Sequence, residues 1–413
     1  MKKDRPPRIE APGWGEAPPT AGLLPQWPDL FGSRSVGSLE NEICRRYGLA
    51  DIEIVSTGTA GLRIAFTYLK LQHPDREVVI VPGYTCPLVV FAAAAAGLSV
   101  VACDTVAGGF DLDTAHLQRL VDQRTLAIVP THFGGLLADV DAVRRAAPGI
   151  PIVEDAAQAF GATWNGRSVG LLGDIGVFSF GVSKGFTIYE GGALVSREAG
   201  TMEGLRKVAA QLTSSAPLGE FFRVMMLAGY HAVYSQMGVQ FAYGSHKRRA
   251  LARGDEIEAA GDRYPADVAV TRVGSLRKRI GNNALPRLDG HLAMSRARFD
   301  AIATRLERIP GLTVHRPPPQ AKPSATSLFV TLAYHRERDL LIRALWHSRL
   351  GVARMFSRAL PDFPDMKSLL IPSDTPNARQ LAAGTIMIST SSLLSSATED
   401  LIVATLEDFA RSS

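Results

Sequence analysis

The chain has 413 residues, of which 46% are hydrophobic and 21% charged, and it carries a net charge of +5. That is the composition of an ordinary soluble globular enzyme, long enough for two domains or for one large domain with an appendage, and it excludes low-complexity or repeat proteins. Cys44, Cys86 and Cys103 show no metal-ligand spacing and make no disulfide framework, so a reducing cytoplasm is expected and a metal site is not.

The N-terminal stretch Met1–Pro19 is charged and proline-rich, without the apolar core of a signal peptide. It reads as a loose arm, extending over residues 1–30. Ser38–Tyr47 has the pattern of a short helix. Ile52–Val55 is a short apolar strand, followed by Ser56-Thr57-Gly58-Thr59-Ala60-Gly61 and a helical pattern over Leu62–Leu71. Strand, small polar loop and helix aim backbone N–H groups and a helix dipole at an anion, so Gly58, Thr59 and Ala60 are candidate phosphate ligands. No Gly-Lys-Ser/Thr follows, so this is not a Walker loop. The plainer alternative is a capped helix.

Alternation of strand and helix continues through Val78–Val81, Leu88–Ala96, Val100–Cys103, Leu117–Val121, Leu126–Pro130, Val140–Ala147 and Ile152–Val153. It predicts an α/β fold with a mostly parallel sheet. Ligand sites in such sheets lie at the carboxyl ends of strands. Thr59, Tyr84, His132, Asp155 and Lys184 all fall at or near such ends. Asp155 follows an apolar strand, where a lone carboxylate is costly unless it has a cationic partner or caps a helix. For His132 the choice lies between a satisfied structural histidine and a substrate contact.

The strand Ile175–Phe180 leads into a glycine-rich block, Val177–Gly192, in which Lys184 is the one charged residue of the run Phe178–Ile188. A lysine in apolar company loses hydration, which favours the neutral, nucleophilic amine that Schiff-base chemistry needs. Ser179, five residues earlier, is placed to hold an anion. The plainer reading is a buried strand and a turn with a snorkelling lysine.

These motifs, in this order, make Ile52–Ser196 similar to the DegT/DnrJ/EryC1/StrS family of pyridoxal-phosphate aminotransferases. Ser56–Gly61 resembles its phosphate loop, and Pro82–Cys86 its loop beside the cofactor ring. His132-Phe133-Gly134 with Ala138-Asp139, Glu154–Gln158, and Phe178-Ser179-Phe180 with Lys184 and Glu190-Gly191-Gly192 resemble its remaining motifs. The resemblance implies a fold-type I enzyme with pyridoxal 5'-phosphate as cofactor. It has a large domain over residues 31–265 and a smaller α/β domain over residues 266–413. Lys184 would carry the Schiff base and shuttle the proton. Asp155 would face the pyridine nitrogen and Gln158 the ring oxygen. Ser179 with Thr59 and Ala60 would hold the phosphate. Cys86 stands where many members stack an aromatic on the ring, and Tyr84 lies two residues away. His132, Tyr189 and Arg354 are candidate substrate contacts. Asn282 and Asn283 are candidates for the phosphate ligand that a partner subunit usually gives. A homodimer with shared active sites is implied. So is amination of a keto group on a sugar or polyol, with glutamate or glutamine as donor. Family dehydratases carry histidine at the Schiff-base position, which Lys184 argues against. A non-catalytic scaffold protein is the other rival.

In the second half, Leu218–Tyr243 is apolar and aromatic but interrupted by charges and glycines. It reads as helical packing against the core or a partner subunit, then as a substrate-lining lid, then as an interfacial membrane contact. Lys247–Pro265 reads as a polar connector or mobile loop. Leu285–Ile309 reads as a long helix, Ser327–Leu332 as a strand and Arg338–Arg349 as a helix. The basic clusters His246–Arg249 and Arg272–Arg279 read as solvated faces or as a greeting for a phosphorylated substrate, and nucleic acid is not an expected partner.

Overall fold

A computed structural model describes residue 9 and residues 15–23, 26–32, 37–264, 267–334 and 337–412. Most of the arm's first fourteen residues, and Pro265 of the expected connector, fall outside the described residues.

Apart from a small three-stranded sheet (Thr163–Trp164, Arg167–Ser168 and Ala321–Lys322), the strands of the first part of the chain are β1 (Glu53–Val55), β2 (Val78–Pro82), β3 (Ser99–Cys103), β4 (Thr125–Ile128), β5 (Val153–Asp155), β6 (Ile175–Ser179) and β7 (Gly192–Val195). Those of the second part are β8 (Leu312–His315), β9 (Ser327–Leu332), β10 (Val352–Ala353), β11 (Leu370–Ile371) and β12 (Thr385–Ser389). One four-stranded group has the order β1-β7-β6-β5 and another β4-β2-β3-β11. Isolated parallel bridges, Ile128 to Ile152 and Thr131 to Asp155, join β4 to β5. Within this surface only β7 runs antiparallel to its neighbours. The mostly parallel sheet expected from the strand–helix alternation is therefore present. The late strand β11 returns to its edge, pairing in parallel with β3.

Continuous apolar runs form the central strands because both sheet faces are covered. Along β2 the side chains alternate between two cores: Val79 and Val81 join Phe66 and Val177, whereas Val78 and Ile80 join Val101 and Ile128. The helix α1 (Gly58–Gln72) supplies Ile64, Ala65 and Phe66 to the first core. A separate antiparallel sheet, β8-β9-β12-β10, packs on a third core containing Phe299, Ile302, Leu328 and Leu406.

From β2 the chain goes to β3 on one side, and later to β4 on the other. The order of strands reverses there, and the crevice outside the carboxyl ends at such a point is where ligands of open α/β sheets bind.

Two expectations change. Lys247–Pro265 is not an irregular connector: helices span Ser245–Ala252 and Glu256–Ala260. Asp255 caps the second, accepting from the Glu258 N–H at 3.0 Å. The arm is tied down over residues 15–23 and 26–32. Ala21 N–H donates to Thr326 O at 2.8 Å, Leu23 N–H to Gly185 O at 2.9 Å, and Trp27–Phe31 forms a short helix.

The apolar segment becomes the helix α2 (Pro217–Val233), and it is inside out. Its charges face the protein. Glu220 accepts from Arg277 Nε at 2.7 Å, on the helix α3 (Ser275–Ala284), and Arg223 donates to Glu190 at 2.5 Å. Its large apolar residues face outward, with Leu218 68% and Phe221 59% exposed. The expected core packing is met by Leu227 alone among the large side chains of this helix. No helix among the described residues is long and apolar enough to cross a membrane.

Candidate active site

At the start of α1 the Thr57 side chain caps the helix, accepting from the Ala60 N–H at 2.9 Å. Gly61 N–H donates to Thr57 O at 3.0 Å. The first-turn N–H groups of Gly58 and Thr59 have no helical acceptor, and the helix dipole adds partial positive charge there. Ser179, at the end of β6, lies alongside: a Cβ built on Gly58 would come 3.0 Å from the Ser179 Cβ. Gly192 of β7 lets the loop lie this close, because a Cβ there would be 2.6 Å from the Thr57 carbonyl carbon. Gly58, Thr59 and Ser179 all line one cavity of about 370 Å³. Ala60 does not. Its N–H is spent on the cap and its side chain is fully buried, so the expectation of a phosphate contact there is corrected.

Across the cavity, β5 delivers Asp155. Its Oδ1 accepts from the Ala157 N–H at 3.1 Å, and the residue is 5% exposed. Burial pushes this carboxyl above the usual range, opposed by that N–H bond and by the nearby Lys184. Gln158 lines the same wall. Its Oε1 accepts from the Gly134 N–H at 3.2 Å, and its amide nitrogen meets Met355 Sδ at 3.6 Å.

His132 resolves toward structure. Its Nδ1 accepts from the Ala138 N–H at 3.1 Å, so Nε2 carries the proton and meets Glu154 Oε2 at 3.0 Å. Glu154, fully buried, also accepts from the N–H groups of Gly170, Leu172 and Gly173 at 2.6 to 2.9 Å. With both nitrogens engaged, the ring edges the cavity but offers a substrate no polar atom.

Tyr84 is also corrected. It is 1% exposed and lies outside the cavity wall. Its ring packs among Phe110, Phe133 and Phe356, and its hydroxyl accepts from the Phe356 N–H at 3.3 Å. Cys86 does line the cavity, with burial pushing its thiol up to about 12, so it acts as a neutral packing group. Tyr264 lines the wall beside it, its hydroxyl donating to Asp262 at 3.1 Å.

Lys184 sits in the turn after β6, with its N–H donating to Gly181 O at 3.1 Å, and it lines the cavity. Arm residues 21–23 run along this turn, where a Cβ on Gly22 would come 2.9 Å from Lys184 O. Arg354 also lines the cavity. Its guanidinium donates to Ala382 O at 3.1 Å and Ala383 O at 3.4 Å, at the carboxyl end of the helix α4 (Pro376–Gly384). Tyr189 lies outside, packed with Leu30, Leu227 and Ile280. Asn282 and Asn283 donate their side-chain amides to backbone carbonyls of Gly37, Asp29 and Gly32, which ties them to the N-terminal region of their own chain.

Sequence reasoning missed Glu16, Tyr243 and Arg349, which also line the cavity, as do Lys247 and Arg248 of the basic cluster His246–Arg249, for which a phosphorylated substrate is one of the two readings. They come from the supposed loose arm, the apolar segment, the supposed connector and a helix end. No local periodicity marks such residues.

A helix N-terminus with free N–H groups asks for an anion, a buried cavity-facing carboxylate asks for a cation, and a lysine stands beside both. The residues present fit pyridoxal phosphate, and the class they define is the fold-type I pyridoxal-phosphate enzyme. The comparisons agree. The chain belongs to the DegT/DnrJ/EryC1/StrS aminotransferase family, whose model matches residues 26–232 and 258–407.

Among curated relatives, the 3-amino-5-hydroxybenzoate synthase of Amycolatopsis mediterranei is 38% identical over 172 residues, covering 41% of this chain and 44% of that protein. The dTDP-3-amino-3,4,6-trideoxy-alpha-D-glucose transaminase of Micromonospora megalomicea is 35% identical over 182 residues, covering 43% and 48%. The chain thus matches less than half the length of these relatives. In fold it is similar to the crystal structure of 3-amino-5-hydroxybenzoic acid synthase, with a TM-score of 0.69 at 24% identity over 91% of this chain and 90% of that one. It is also similar to DesI crystallised with its TDP-sugar product, with a TM-score of 0.72 at 20% identity over 97% and 94%.

Proposed function

We propose that this chain is a pyridoxal-phosphate aminotransferase that moves an amino group from glutamate or glutamine to a keto group on a sugar-like or polyol-like ring. The observation that carries this reading is the convergence of Lys184, Asp155 and the open end of α1 on one cavity. The names of the curated relatives, one a transaminase of a dTDP-sugar, support the class of substrate.

Bound there, pyridoxal phosphate supplies an electron sink and a carrier for the amino group. The chain does the rest. Gly58 and Thr59 N–H groups and the Ser179 hydroxyl hold the phosphate. Asp155, poorly hydrated, gains a partner by holding a proton on the pyridine nitrogen. Gln158 holds the ring oxygen. The Lys184 amine would anchor the cofactor and would hold and release a proton at its Nζ. The purified holoenzyme should show a visible cofactor band that bleaches on addition of glutamate or glutamine. A band that persists with every amino donor tried would leave the scaffold reading in place.

We also propose a homodimer, with α2 as part of the interface and the cytoplasm as its location. An apolar helix face of this size is not left in water, and its inward charges leave no way to bury it within one chain. Sedimentation should give two chains per particle for wild type. Phe221→Glu with Met225→Glu should give one, because two carboxylates would have to be desolvated in the interface. A double variant that stays dimeric would remove α2 from it.

A further inference from the structure

Residues 1–25 and 233–257 fall outside the family match, as do the last six. The first two stretches meet over the cavity. Glu16 N–H donates to Gln236 O at 2.9 Å, and the Glu16 carboxylate pairs with Arg248. Ala17 N–H donates to Arg349 O at 3.1 Å. Between them the backbone departs from the ordinary. Gln240–Gly244 is a π-helical turn, of the kind frequently found at functional sites, and its Tyr243 and Gly244 line the cavity. Arg349 holds a left-handed φ of 68°, a conformation that strains a non-glycine residue.

The charges on this wall do not cancel. Glu16 is taken by Arg248. Asp262 accepts from the Ser357 N–H at 2.7 Å and from Tyr264. Glu258 faces His246 and Arg263. Two cations remain. Lys247, half-buried, gives one N–H to Glu258 O at 3.0 Å and stands over the Tyr243 ring. The Arg349 guanidinium makes no hydrogen bond and no ion pair among the described residues. Arg354, by contrast, is tethered to carbonyls of α4. An arginine that makes no hydrogen bond, and a lysine that makes one, line the same cavity with one positive charge in excess, an arrangement for an anion that arrives with a ligand. The cofactor phosphate has its own seat at the open end of α1. The cavity, at about 370 Å³, is near the small end of ligand sites.

We propose that Arg349 and Lys247 seat a compact anion, a carboxylate or phosphate ester on the keto substrate, against a wall this chain builds from its N-terminal stretch and residues 243–262. The proposal rests on the aminotransferase reading, and its test separates the two. Holoenzyme is titrated calorimetrically with benzoate, inorganic phosphate and neutral myo-inositol. Wild type binds at least one of the anions more tightly than the polyol. Arg349→Met and Lys247→Met each weaken that binding about ten-fold or more, the loss of one charge-assisted contact. Cofactor dissociation and the rate of bleaching by glutamate stay within about two-fold, because neither residue touches those groups.

Equal anion binding by wild type and variants overturns the proposal and leaves the aminotransferase reading standing. Loss of the glutamate step in the variants overturns it too, since the cations would then hold the donor's carboxylate. A wild type with no cofactor band overturns both.

Discussion

Lys184→Ala protein supplied with pyridoxal phosphate shows no lysine-dependent visible band, and its amino transfer falls by at least about 10²–10⁴-fold, the usual weight of a positioned proton-transfer group. The geometry makes this a clean loss. Among the cavity-lining amines the other is Lys247, which is on the far wall, bonded to Glu258 O and formed on a separate helix. The turn that carries Lys184 is held from outside by the arm through Leu23 and by Phe180, whose N–H donates to Gly191 O at 2.8 Å. Truncating the side chain leaves these contacts intact, so circular dichroism and thermal unfolding of the variant stay close to wild type. Lys184→Arg is the sharper control: it keeps the charge and most of the volume but not a nucleophilic amine. Visible spectra and donor-driven bleaching check both. A variant that retains the band would move the covalent role elsewhere.

Arg277→Ala is expected to destabilise the fold by about 3 kcal/mol, the lower end for breaking a buried pair. Arg277 is fully buried, and its guanidinium does three things at once. It pairs with Glu220 at 2.5 Å, it donates to Ile188 O at 3.4 Å, and it donates to Glu190 O. Removing it leaves the Glu220 carboxylate without its cation and two carbonyls of the Lys184 block without a donor. Glu220 retains some water access, at 18% side-chain exposure, which is why the lower figure applies. Arg277→Lys recovers only part of the loss, since one ammonium cannot fork to three acceptors. Denaturant titration measures the effect. A midpoint unchanged from wild type would mean that water replaces the guanidinium. A loss of cofactor affinity alongside the loss of stability is expected, because Ile188 and Glu190 follow Lys184 in the same loop.

Much of the fold was legible because the relevant physics is local. Val78–Val81, Val100–Cys103 and Ser327–Leu332 are short apolar runs between turn residues, and each is a strand close to its expected bounds. The helix after Ser56–Gly61 starts at Gly58, four residues before its expected first residue, because Thr57 supplies the cap. Asp155, Gln158, Ser179 and Lys184 each stand at a strand end, where period and loop chemistry put them, and they line one cavity. Other residues of the same motifs went elsewhere. Tyr84 turned inward to an aromatic cluster, Ala60 gave its N–H to a cap, and His132 spent both nitrogens on its neighbours. These outcomes depend on which atoms of distant segments arrive within hydrogen-bond reach.

The sequence by itself determined the class of chemistry: a lysine, a strand-end carboxylate and a phosphate loop, in an order that defines the family. Tertiary structure alone decided what surrounds that chemistry. Whether Glu16 meets Arg248, whether α2 turns its charges inward, and whether Arg349 is left without an acceptor are set by contacts between segments separated by tens to hundreds of positions. Hydrophobic periodicity reports which side of an element is buried against its neighbours, and α2 shows that the same stripe can equally face out of the chain when a buried arginine claims the other side.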